Sequence, residues 1–386
     1  MSSRAKANKD CLQKGDMEAE TTFTYVHIFT YIKKHRPFLF QLENVRQIMS
    51  KGDFDKSDAE WIVSEFRAIG YWVSWFLFDS MDFGSIAART RVYFLGFNCE
   101  NFNARPDFMY AKPSPMDWCM NFYNTFSTDS LPLERFLYFD LADALDKMSE
   151  HCVMDPPRGD NTKDAKWRDE HCTEFRELGL PWPCDLPEAS FTLDSMRPFT
   201  FEVQTEEGVN KVSFDFWRGG LGDRQSEMIL YFMVKHPMDK CMQPQFLDAN
   251  FTLGRLLSYE GVLGPWKSCM PCMTGQSRHV MRYYDACSNI FIVRPLLGIE
   301  AFATIGWDYE MWWPHSSDRF TDALLLNMCG NAYSAFAVLP MLMTGIAGCG
   351  ILSQHGTARF LEDGVTDTTG DKEEDGDSDS GISISS

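Results

Sequence analysis

Cysteine and histidine are the side chains of this sequence whose spacing comes nearest to that of metal ligands. Of the 12 cysteines, Cys269 and Cys272 form a CxxC pair, and His279 and Cys287 follow a short distance along the chain. Structural zinc sites normally combine two such pairs, so a single pair is a weak indication of zinc. The sequence therefore predicts no metal centre and leaves zinc binding by Cys269 and Cys272 open.

Three short polar motifs stand next to apolar runs, at places where a turn would present side chains for chemistry. They are Glu43-Asn44-Val45, Asp82-Phe83-Gly84 and Gly330-Asn331-Ala332. Each motif alone is typical of an ordinary turn. What they indicate therefore depends on their order along the chain and on the elements that would position them.

The first hundred residues have an alternating helix and strand pattern. Residues 22–35 carry apolar side chains at helical spacing. Ser57 and Glu60 are spaced as a capping box, and the helix that they open should stop at Gly70. Strands are predicted at residues 38–42, 71–78 and 91–97. This order of elements predicts an α/β fold.

Beyond residue 100 the composition changes, and proline, tryptophan, cysteine and methionine become frequent. One helix is predicted at residues 131–148, and short strands are predicted at 199–203, 212–216, 228–234 and 289–293. Residues 100–285 thus form an irregular insert between an α/β region at 1–99 and its return at 286–352. Residues 353–386 are rich in Asp, Glu, Gly and Ser and are predicted to be a disordered acidic tail.

Composition and charge narrow the class of protein. With 44% hydrophobic residues, the chain is not a wholly disordered one. Its net charge of −19 disfavours indiscriminate binding to nucleic acid, because phosphate contacts require Lys and Arg. The polar first residues lack the apolar core of a signal peptide, which predicts reduced thiols in an intracellular compartment. Residues 323–352 carry no charge, but their asparagines, glycines and proline favour a buried helix over a membrane span.

Taken in order, the motifs and their surroundings resemble the second half of the DNA (cytosine-5)-methyltransferase family. The series is KKHRPFLFQLENV, then GYWVSWFLFDSMDFGSIAARTRVYFLGF, then RPLLGIEAFATIGWD and finally GNAYSAFAVLP. In the family an ENV strand is followed by a QxRxR element, a variable target-recognition domain, an R-x-L-T-x-x-E element and a GNA-V helix. The resemblance implies a partial Rossmann-like methyltransferase sheet, interrupted by a target-recognition-like insert.

The resemblance also implies roles for individual residues. Glu43 matches the ENV glutamate, which contacts N3 of a flipped cytosine, and Arg91 matches the second arginine of QxRxR, which binds the cytosine O2. Arg89 matches the first arginine and would support the pocket. Asn331 matches the GNA asparagine near S-adenosylmethionine, the methyl donor of the family. The chain departs from the pattern at Ala87, where the family has glutamine.

Arg294 and Glu300 match the element that buttresses the recognition domain, although the usual threonine of that element is Gly298 here.

Two family elements are not found upstream of Glu43: the FxGxG-like cofactor loop and the Pro-Cys loop with the nucleophilic thiol. Pro183-Cys184 and Pro271-Cys272 occur after ENV, so neither cysteine is expected to be the nucleophile. Residues 11–15 resemble the segment that follows the Pro-Cys loop. We therefore expect an incomplete catalytic domain, inactive alone, whose partner would be a chain that carries the missing half.

Several functions remain open from the sequence. The leading hypothesis is S-adenosylmethionine-dependent methylation of cytosine in DNA, in the nucleus. A catalytically silent, methyltransferase-like module that binds nucleic acid or regulates an active relative is the main alternative. RNA as the substrate, or a membrane anchor at residues 323–352, are further alternatives; the leading hypothesis involves no membrane.

Overall fold

The computed structural model describes most of the α/β regions and parts of the insert. The described residues are 11–14, 20–51, 54–102, 123–140, 143, 146, 152–153, 165–177, 199–203, 212–218, 220–239, 243–259, 264–275, 277–307 and 320–348. The acidic tail predicted at 353–386 lies outside these residues.

The first sheet has three antiparallel strands in the order β1-β3-β2. The elements of this region are α1 (Cys11–Lys14), α2 (Glu20–His35), β1 (Leu39–Val45), α3 (Asp58–Ala68), β2 (Tyr71–Asp79), β3 (Thr90–Asn98) and α4 (Cys99–Phe102), with 3-10 turns at Arg46–Met49 and Ser80–Asp82. The predicted helices and strands of this region are confirmed.

Local signals set the ends of α3. The Ser57 hydroxyl accepts from the Glu60 backbone N–H, and the Glu60 carboxylate accepts from the Ser57 backbone N–H at 2.8 Å. After the helix, Gly70 has φ +86°, a backbone conformation that favours glycine. The capping box and the glycine stop therefore act where the sequence predicts them.

The two faces of this sheet are covered by different helices. Phe40, Val92 and Phe94 pack with α2 and α3 on one face. On the other face, Tyr93 and Leu95 pack with α10 (Ala335–Gly348). Because α10 comes from the far end of the chain, the C-terminal region closes over the face that bears Glu43 and Arg91.

The second sheet has five strands in the order β5-β6-β9-β8-β7. Its strands are β5 (Phe199–Val203), β6 (Val212–Phe216), β7 (Gln245–Asp248), β8 (His279–Asp285) and β9 (Ile290–Pro295). The β6–β9 pair is parallel, and the other pairs are antiparallel. Three of the strands predicted in the sequence, at 199–203, 212–216 and 289–293, are confirmed. A short parallel pair, β4 (Cys152–Val153) with β10 (Phe320–Thr321), lies apart from this sheet.

The strand predicted at residues 228–234 is wrong, because this segment belongs to helix α6 (Asp223–Lys235). Every residue from Met228 to Met233 is buried. A run that is apolar and buried on all sides shows no amphipathic period, and a short apolar run cannot be distinguished from a buried strand by pattern. This helix packs with α5 (Ala165–Glu177) and α7 (Leu253–Leu257) around the second sheet.

The helix predicted at residues 131–148 is wrong in its first part. Leu133–Arg135 form a single 3-10 turn, and residues 137–139 have no regular secondary structure, while residues 143 and 146 are helical. The Tyr138 backbone explains the difference: its N–H donates to Glu300 at 2.8 Å, and its C=O accepts from Arg294. These tertiary bonds replace the bonds that a helix would need at the same atoms.

The C-terminal region consists of α8 (Gly298–Thr304), α9 (Asp322–Asn331) and α10. Among the described residues there is one candidate membrane span, Asp322–Met343, which qualifies by length and composition alone. Residues 332–334 interrupt the helix within this stretch, and Ala337 and Met341 pack against the first sheet. The structure thus places part of this stretch in a protein core.

The fold is mixed α/β, as predicted, and is consistent with a Rossmann-like methyltransferase sheet. The division at 99/100, 285/286 and 352/353 remains a prediction. The second of these boundaries falls in the turn between β8 and β9, which pair with each other.

Candidate functional site

Glu43 and Arg91 meet on the sheet face that α10 covers. Arg91 lies opposite Val45, and Glu43 lies opposite Tyr93, so the two charged residues are diagonal neighbours on adjacent strands. The Arg91 Nε atom is 3.1 Å from the Glu43 Oε1 atom. Both side chains are largely buried, with 14% and 11% of their area exposed. The sequence prediction that these residues share one site agrees with this geometry, and their roles remain predictions.

The Glu43 carboxyl is a group whose pKa changes in the folded chain. Burial raises the pKa of this carboxyl above its usual value, and the charges of Arg89 and Arg91 oppose the rise without cancelling it. The Glu43 Oε1 atom makes no aligned hydrogen bond within the described part of the chain, despite its closeness to Arg91. A buried carboxyl that has a raised pKa and an oxygen without an aligned hydrogen bond can hold a proton and donate it to a bound group.

Arg89 connects β3 to two distant loops. Its Nη1 atom donates to the Met273 C=O at 3.2 Å and to the Gly330 C=O at 3.3 Å, and its Nη2 atom donates to the Ala332 C=O at 2.7 Å. The Nε atom is 4.0 Å from Glu43. Arg89 therefore fixes the position of residues 330–332, at the C-terminal end of helix Asp322–Asn331, relative to the Glu43–Arg91 pair.

The first residue of the Gly330-Asn331-Ala332 motif has to be a glycine. A Cβ atom at Gly330 would lie 2.1 Å from the Thr274 carbonyl carbon and 2.3 Å from the Gly275 nitrogen, and both of these are backbone atoms. Real Cβ atoms do not approach so closely. Asn331, next in the chain, is exposed and donates from its Nδ2 atom to the Asn327 C=O at 3.1 Å. The structure thus brings Asn331 near the pocket, while its amide nitrogen is engaged within its own helix.

The contact that the sequence did not anticipate is made by Cys272. The Arg91 Nη2 atom lies 3.5 Å from the Cys272 sulfur, which is partly exposed to solvent. Order along the chain argues against this cysteine as the nucleophile, since its Pro-Cys dipeptide follows ENV. Residues 270–275 fold against the segment that precedes β3, where the Ala88 N–H donates to the Met270 C=O. This packing between distant parts of the chain brings Cys272 close to Arg91. Among the described residues, no three His, Cys, Asp or Glu side chains are grouped as metal ligands.

Arg294 and Glu300 form a second, closed ion pair away from this pocket. Both side chains are fully buried, and the Arg294 Nη1 atom lies 2.9 Å from Glu300. The Glu300 carboxylate also accepts from the backbone N–H groups of Tyr138 and Leu297. These contacts connect β9, α8 and the segment at 138, which is a scaffold arrangement like the buttress expected from the sequence.

S-adenosylmethionine does not fit the described residues as a site of its own. A glycine-rich loop at a strand end normally lets the backbone approach such a cofactor. The glycine nearest the pocket, Gly330, is filled on its open side by the backbone of residues 274–275. Asn331 offers one side-chain oxygen, with its nitrogen already bonded. Among the described residues, Gly330 and Asn331 therefore form no cradle for the methyl donor.

Comparison with protein families matches one part of the chain. Residues 11–156 match the family model described as C-5 cytosine-specific DNA methylase, and this region contains Glu43, Arg89 and Arg91. No match was found among curated proteins.

Three solved methyltransferase structures are similar to the chain. The Entamoeba histolytica methyltransferase EhMeth has a TM-score of 0.40 and 10% identity, over 86% of this chain and 70% of that one. The S. pombe Dnmt2 methyltransferase has a TM-score of 0.38 and 12% identity, over 83% and 71%. A putative DNA modification methyltransferase encoded within a prophage (E. coli) has a TM-score of 0.31 and 16% identity, over 84% and 73%. The family-model match over residues 11–156 therefore makes the chain cytosine-5 methyltransferase-like in the region that builds the pocket.

Proposed function

We propose that this chain supplies the base-recognition half of a cytosine-5 methyltransferase that acts on DNA. The single observation that supports this best is the buried Glu43 carboxyl, whose pKa is raised by burial while Arg91 stands 3.1 Å away. A neutral carboxyl and a fixed guanidinium are complementary to the N3 acceptor and the O2 carbonyl of cytosine. The family-model match over residues 11–156 supports the same substrate class.

In this proposal, each pocket residue has one task. Glu43, in its neutral form, donates a proton to N3 when a thiolate adds to C6 of the flipped base, so that negative charge does not accumulate on the ring. Arg91 donates to O2 and orients the ring. Arg89 is a positioning residue, because its hydrogen bonds reach the Met273, Gly330 and Ala332 carbonyls. The methyl group itself comes from S-adenosylmethionine when that is bound.

The thiolate and the cradle for S-adenosylmethionine come, in this proposal, from a partner polypeptide that carries the Gly-rich and Pro-Cys loops. The nucleus is the proposed location, because the proposed substrate is DNA. The main alternative, a silent module that binds nucleic acid without turnover, predicts the same recognition of cytosine and no methyl transfer under any condition.

Recognition can be tested without turnover. The measurement is the fluorescence anisotropy of DNA duplexes that contain one unpaired cytosine or, as a comparison, one unpaired thymine. Thymine has a donor at N3 and so cannot accept a proton from Glu43. We expect tighter binding to the cytosine duplex, and we expect Glu43→Ala to remove that preference, which is worth roughly 1–3 kcal/mol. Arg91→Ala should weaken binding to both duplexes, because both bases carry an O2 carbonyl. The matched control is Arg168→Ala, which removes a surface arginine on α5. Equal binding of both duplexes by the wild-type protein would exclude the proposal.

The contact between Arg91 and Cys272 supports a second candidate for the nucleophile. The thiolate is the reactive form of a cysteine, and the Arg91 Nη2 atom lies 3.5 Å from the Cys272 sulfur. In this case the S–C6 bond forms within the chain, the electron pair of the C5–C6 double bond moves through the ring, and the proton on Glu43 goes to N3. A duplex with 2-pyrimidinone in place of cytosine tests this, because that base adds thiolates readily. A covalent complex on a denaturing gel that Cys272→Ser abolishes, and Cys269→Ser does not, would support the candidate. A complex that persists in Cys272→Ser, or its absence in the wild type, would exclude it.

A further inference from the structure

Tyr333 is an exposed aromatic residue in the short linker between α9 and α10. The linker consists of residues 332–334, between the end of α9 at Asn331 and the start of α10 at Ala335. The Tyr333 side chain is 49% exposed, whereas the next residue, Ser334, is fully buried. One exposed aromatic ring is common on protein surfaces, so its meaning depends on what holds it and what lies beside it.

Three hydrogen bonds hold the backbone of this linker. The Arg89 Nη2 atom donates to the Ala332 C=O at 2.7 Å, and the Trp307 Nε1 atom donates to the Tyr333 C=O at 2.7 Å. The first amide of α10 donates to the Ile305 C=O at 2.8 Å. The ring of Tyr333 is therefore presented from a fixed backbone, and less entropy is lost when a ligand packs against it.

Arg89 places this linker beside Glu43. The guanidinium that bonds to the Ala332 C=O also has its Nε atom 4.0 Å from the Glu43 Oε1 atom, so one side chain contacts both the linker and the pocket. The electrostatics agree with this geometry. Burial raises the pKa of the Tyr333 hydroxyl, and the nearby charge of Glu43 raises it further. Tyr333 therefore keeps its proton at neutral pH and presents an uncharged ring close to Glu43.

The polar atoms beside Glu43 suit the edge of a flat ligand and not its face. Tyr93 lies directly opposite Glu43 on the neighbouring strand. Within the described part of the chain, the Tyr93 hydroxyl, the Glu43 Oε1 atom and the Arg89 Nε atom are buried without a hydrogen-bond partner. Such donors and acceptors can bond to the polar edge of a heterocyclic ring. The face of that ring needs an apolar plane, which an aromatic side chain supplies.

The polar side chains near Tyr333 on the same loops carry no charge. Thr274, Asn327 and Asn331 are exposed, and the Asn331 Nδ2 atom lies 3.1 Å from the Asn327 Oδ1 atom. A Cβ atom at Gly275 would lie 3.0 Å from the Asn331 amide, so the two loops are in contact here. In a chain of net charge −19, uncharged residues at this place avoid repulsion of the phosphates that flank a nucleotide base.

We propose that Tyr333 stacks on the face of an unpaired pyrimidine base whose polar edge is bound by Glu43 and Arg91. This inference rests on the proposed function for the identity of the ligand as a base. Every base has a π face, so stacking distinguishes a base from no base and does not distinguish cytosine from thymine. Glu43 makes the choice between the two pyrimidines. The contributions of Tyr333 and Glu43 are therefore separable by experiment.

The first test measures the affinity of the full chain for three duplexes by fluorescence anisotropy. The duplexes carry an unpaired cytosine, an unpaired thymine or an abasic site at the same position. Tyr333→Ala should lower the affinity for both base-containing duplexes about tenfold and leave the affinity for the abasic duplex unchanged. Tyr333→Phe, which keeps the ring, should bind as the wild type does, and Tyr333→Leu, which keeps only the bulk, should bind as Tyr333→Ala does.

The matched control is Tyr31→Ala. Tyr31 is a tyrosine of α2 that is 60% exposed and lies on the helix that covers the other face of the first sheet. Its removal should leave all three affinities unchanged. Urea unfolding of each variant shows whether a change in affinity follows from a change in stability, which is expected to be small for a half-exposed side chain.

The second test observes stacking directly. Pyrrolocytosine, a fluorescent cytosine analogue whose emission is quenched when its ring stacks, replaces the unpaired cytosine. At saturating protein, the wild type and Tyr333→Phe should quench the emission, and Tyr333→Ala and Tyr333→Leu should lose this quenching. Because every site is occupied, the readout does not depend on affinity.

The two proposals fail differently in these experiments. If the wild type binds cytosine and thymine equally but binds both more tightly than the abasic duplex, and Tyr333→Ala removes that difference, the proposed function is rejected and stacking is kept. Equal affinity of the wild type for base-containing and abasic duplexes would overturn stacking, as would an unchanged base preference in Tyr333→Ala. Loss of the base preference in Tyr333→Phe would also overturn it, because the hydroxyl and not the ring would then make the contact.

Discussion

The first and second sheets each hold a buried arginine–glutamate pair, and the two pairs differ in how completely their glutamate oxygens are hydrogen-bonded. Arg294 and Glu300, beside the second sheet, are fully buried, and Glu300 also accepts two backbone N–H groups. Glu43 and Arg91, on the first sheet, keep a small exposed fraction, and Glu43 Oε1 lacks an aligned hydrogen bond among the described residues.

The difference indicates what each pair can do. A carboxylate whose oxygens are all engaged has no capacity left for a ligand, so it contributes to the fold. A buried carboxyl with a raised pKa, beside a guanidinium, retains the capacity to exchange a proton. The same two residue types thus serve structure in one sheet and are proposed to serve chemistry in the other. Substitutions should separate the two cases.

The largest expected effect is on the closed pair. Glu300→Ala would leave the Arg294 charge buried without its partner, which costs about 3–5 kcal/mol of stability. Urea unfolding should show this loss, and the double variant Arg294→Met/Glu300→Leu should recover much of it, because apolar residues of similar volume remove both charges. Glu43→Gln should change the unfolding free energy by no more than about 1 kcal/mol. Similar losses for Glu300→Ala and Glu43→Gln would contradict the distinction.

The second sheet also contains a buried histidine that should make stability depend on pH. Burial lowers the pKa of His279 from 6.5 to about 4, and its Nε2 atom lies 3.9 Å from Asp248. The unfolded chain therefore binds the proton more readily than the folded one. Stability should be complete above pH 6.5 and fall by up to about 3 kcal/mol as the pH decreases toward 4.

His279→Leu should remove this pH dependence. Asp248, whose pKa burial raises, is the acidic group that faces the histidine. The variant Asp248→Asn measures how much of the pH dependence Asp248 contributes. An unfolding free energy that is equally pH-dependent in wild type and His279→Leu would refute the assignment.

A single methyl group at Gly330 should lower both the stability of the chain and its affinity for DNA. Gly330→Ala places a Cβ atom against the backbone of Thr274 and Gly275, so one of the two loops must move, at a cost of about 1–3 kcal/mol. Since Arg89 bonds to the Gly330 carbonyl, the affinity for the unpaired-cytosine duplex should also fall. Gly345→Ala is the matched control, because its Cβ would meet only the flexible ends of Leu39 and Leu95. Equal behaviour of the two variants would rule out a tightly packed loop.

The smallest effect expected on stability, and the most informative for function, is the pH dependence at Glu43. Because burial raises its pKa, the folded chain binds the proton more tightly than the unfolded chain. The contribution of Glu43 to stability is therefore present below its ordinary pKa of 4.5 and is lost as the pH rises through the raised value. The preference for cytosine should decline over the same rise. Glu43→Gln, which keeps a donor at every pH, should make both properties independent of pH in this range.

Local signals in the sequence predicted much of the first sheet. The capping box at Ser57 and Glu60, the stop at Gly70 and the apolar runs of β1 to β3 depend on neighbouring residues alone. The errors occurred where tertiary contacts decide the structure. Tyr138 bonds to Arg294 and Glu300 rather than to its own helix, and the run from Met228 is buried on every side.

The candidate site was predictable as a set of residues and not as a set of contacts. The motif order indicated Glu43, Arg89 and Arg91, but nothing local indicates that Arg89 bonds to Gly330 or that Cys272 approaches Arg91. These contacts join residues more than 180 positions apart, and only the folded backbone brings them together. A Pro-Cys dipeptide that follows ENV in the sequence thus lies beside Arg91 in the folded chain.

Recognition of cytosine by the Glu43–Arg91 pair is the central claim, and one measurement tests it most directly. The affinities of the wild-type chain, Glu43→Ala and Arg91→Ala for duplexes with an unpaired cytosine or thymine should be compared at one salt concentration. We expect a preference for cytosine in the wild type that Glu43→Ala removes, and a lower affinity of Arg91→Ala for both duplexes, because cytosine and thymine share the O2 carbonyl. Equal affinities of the wild type for both duplexes, or a preference that survives Glu43→Ala, would contradict recognition by this pair.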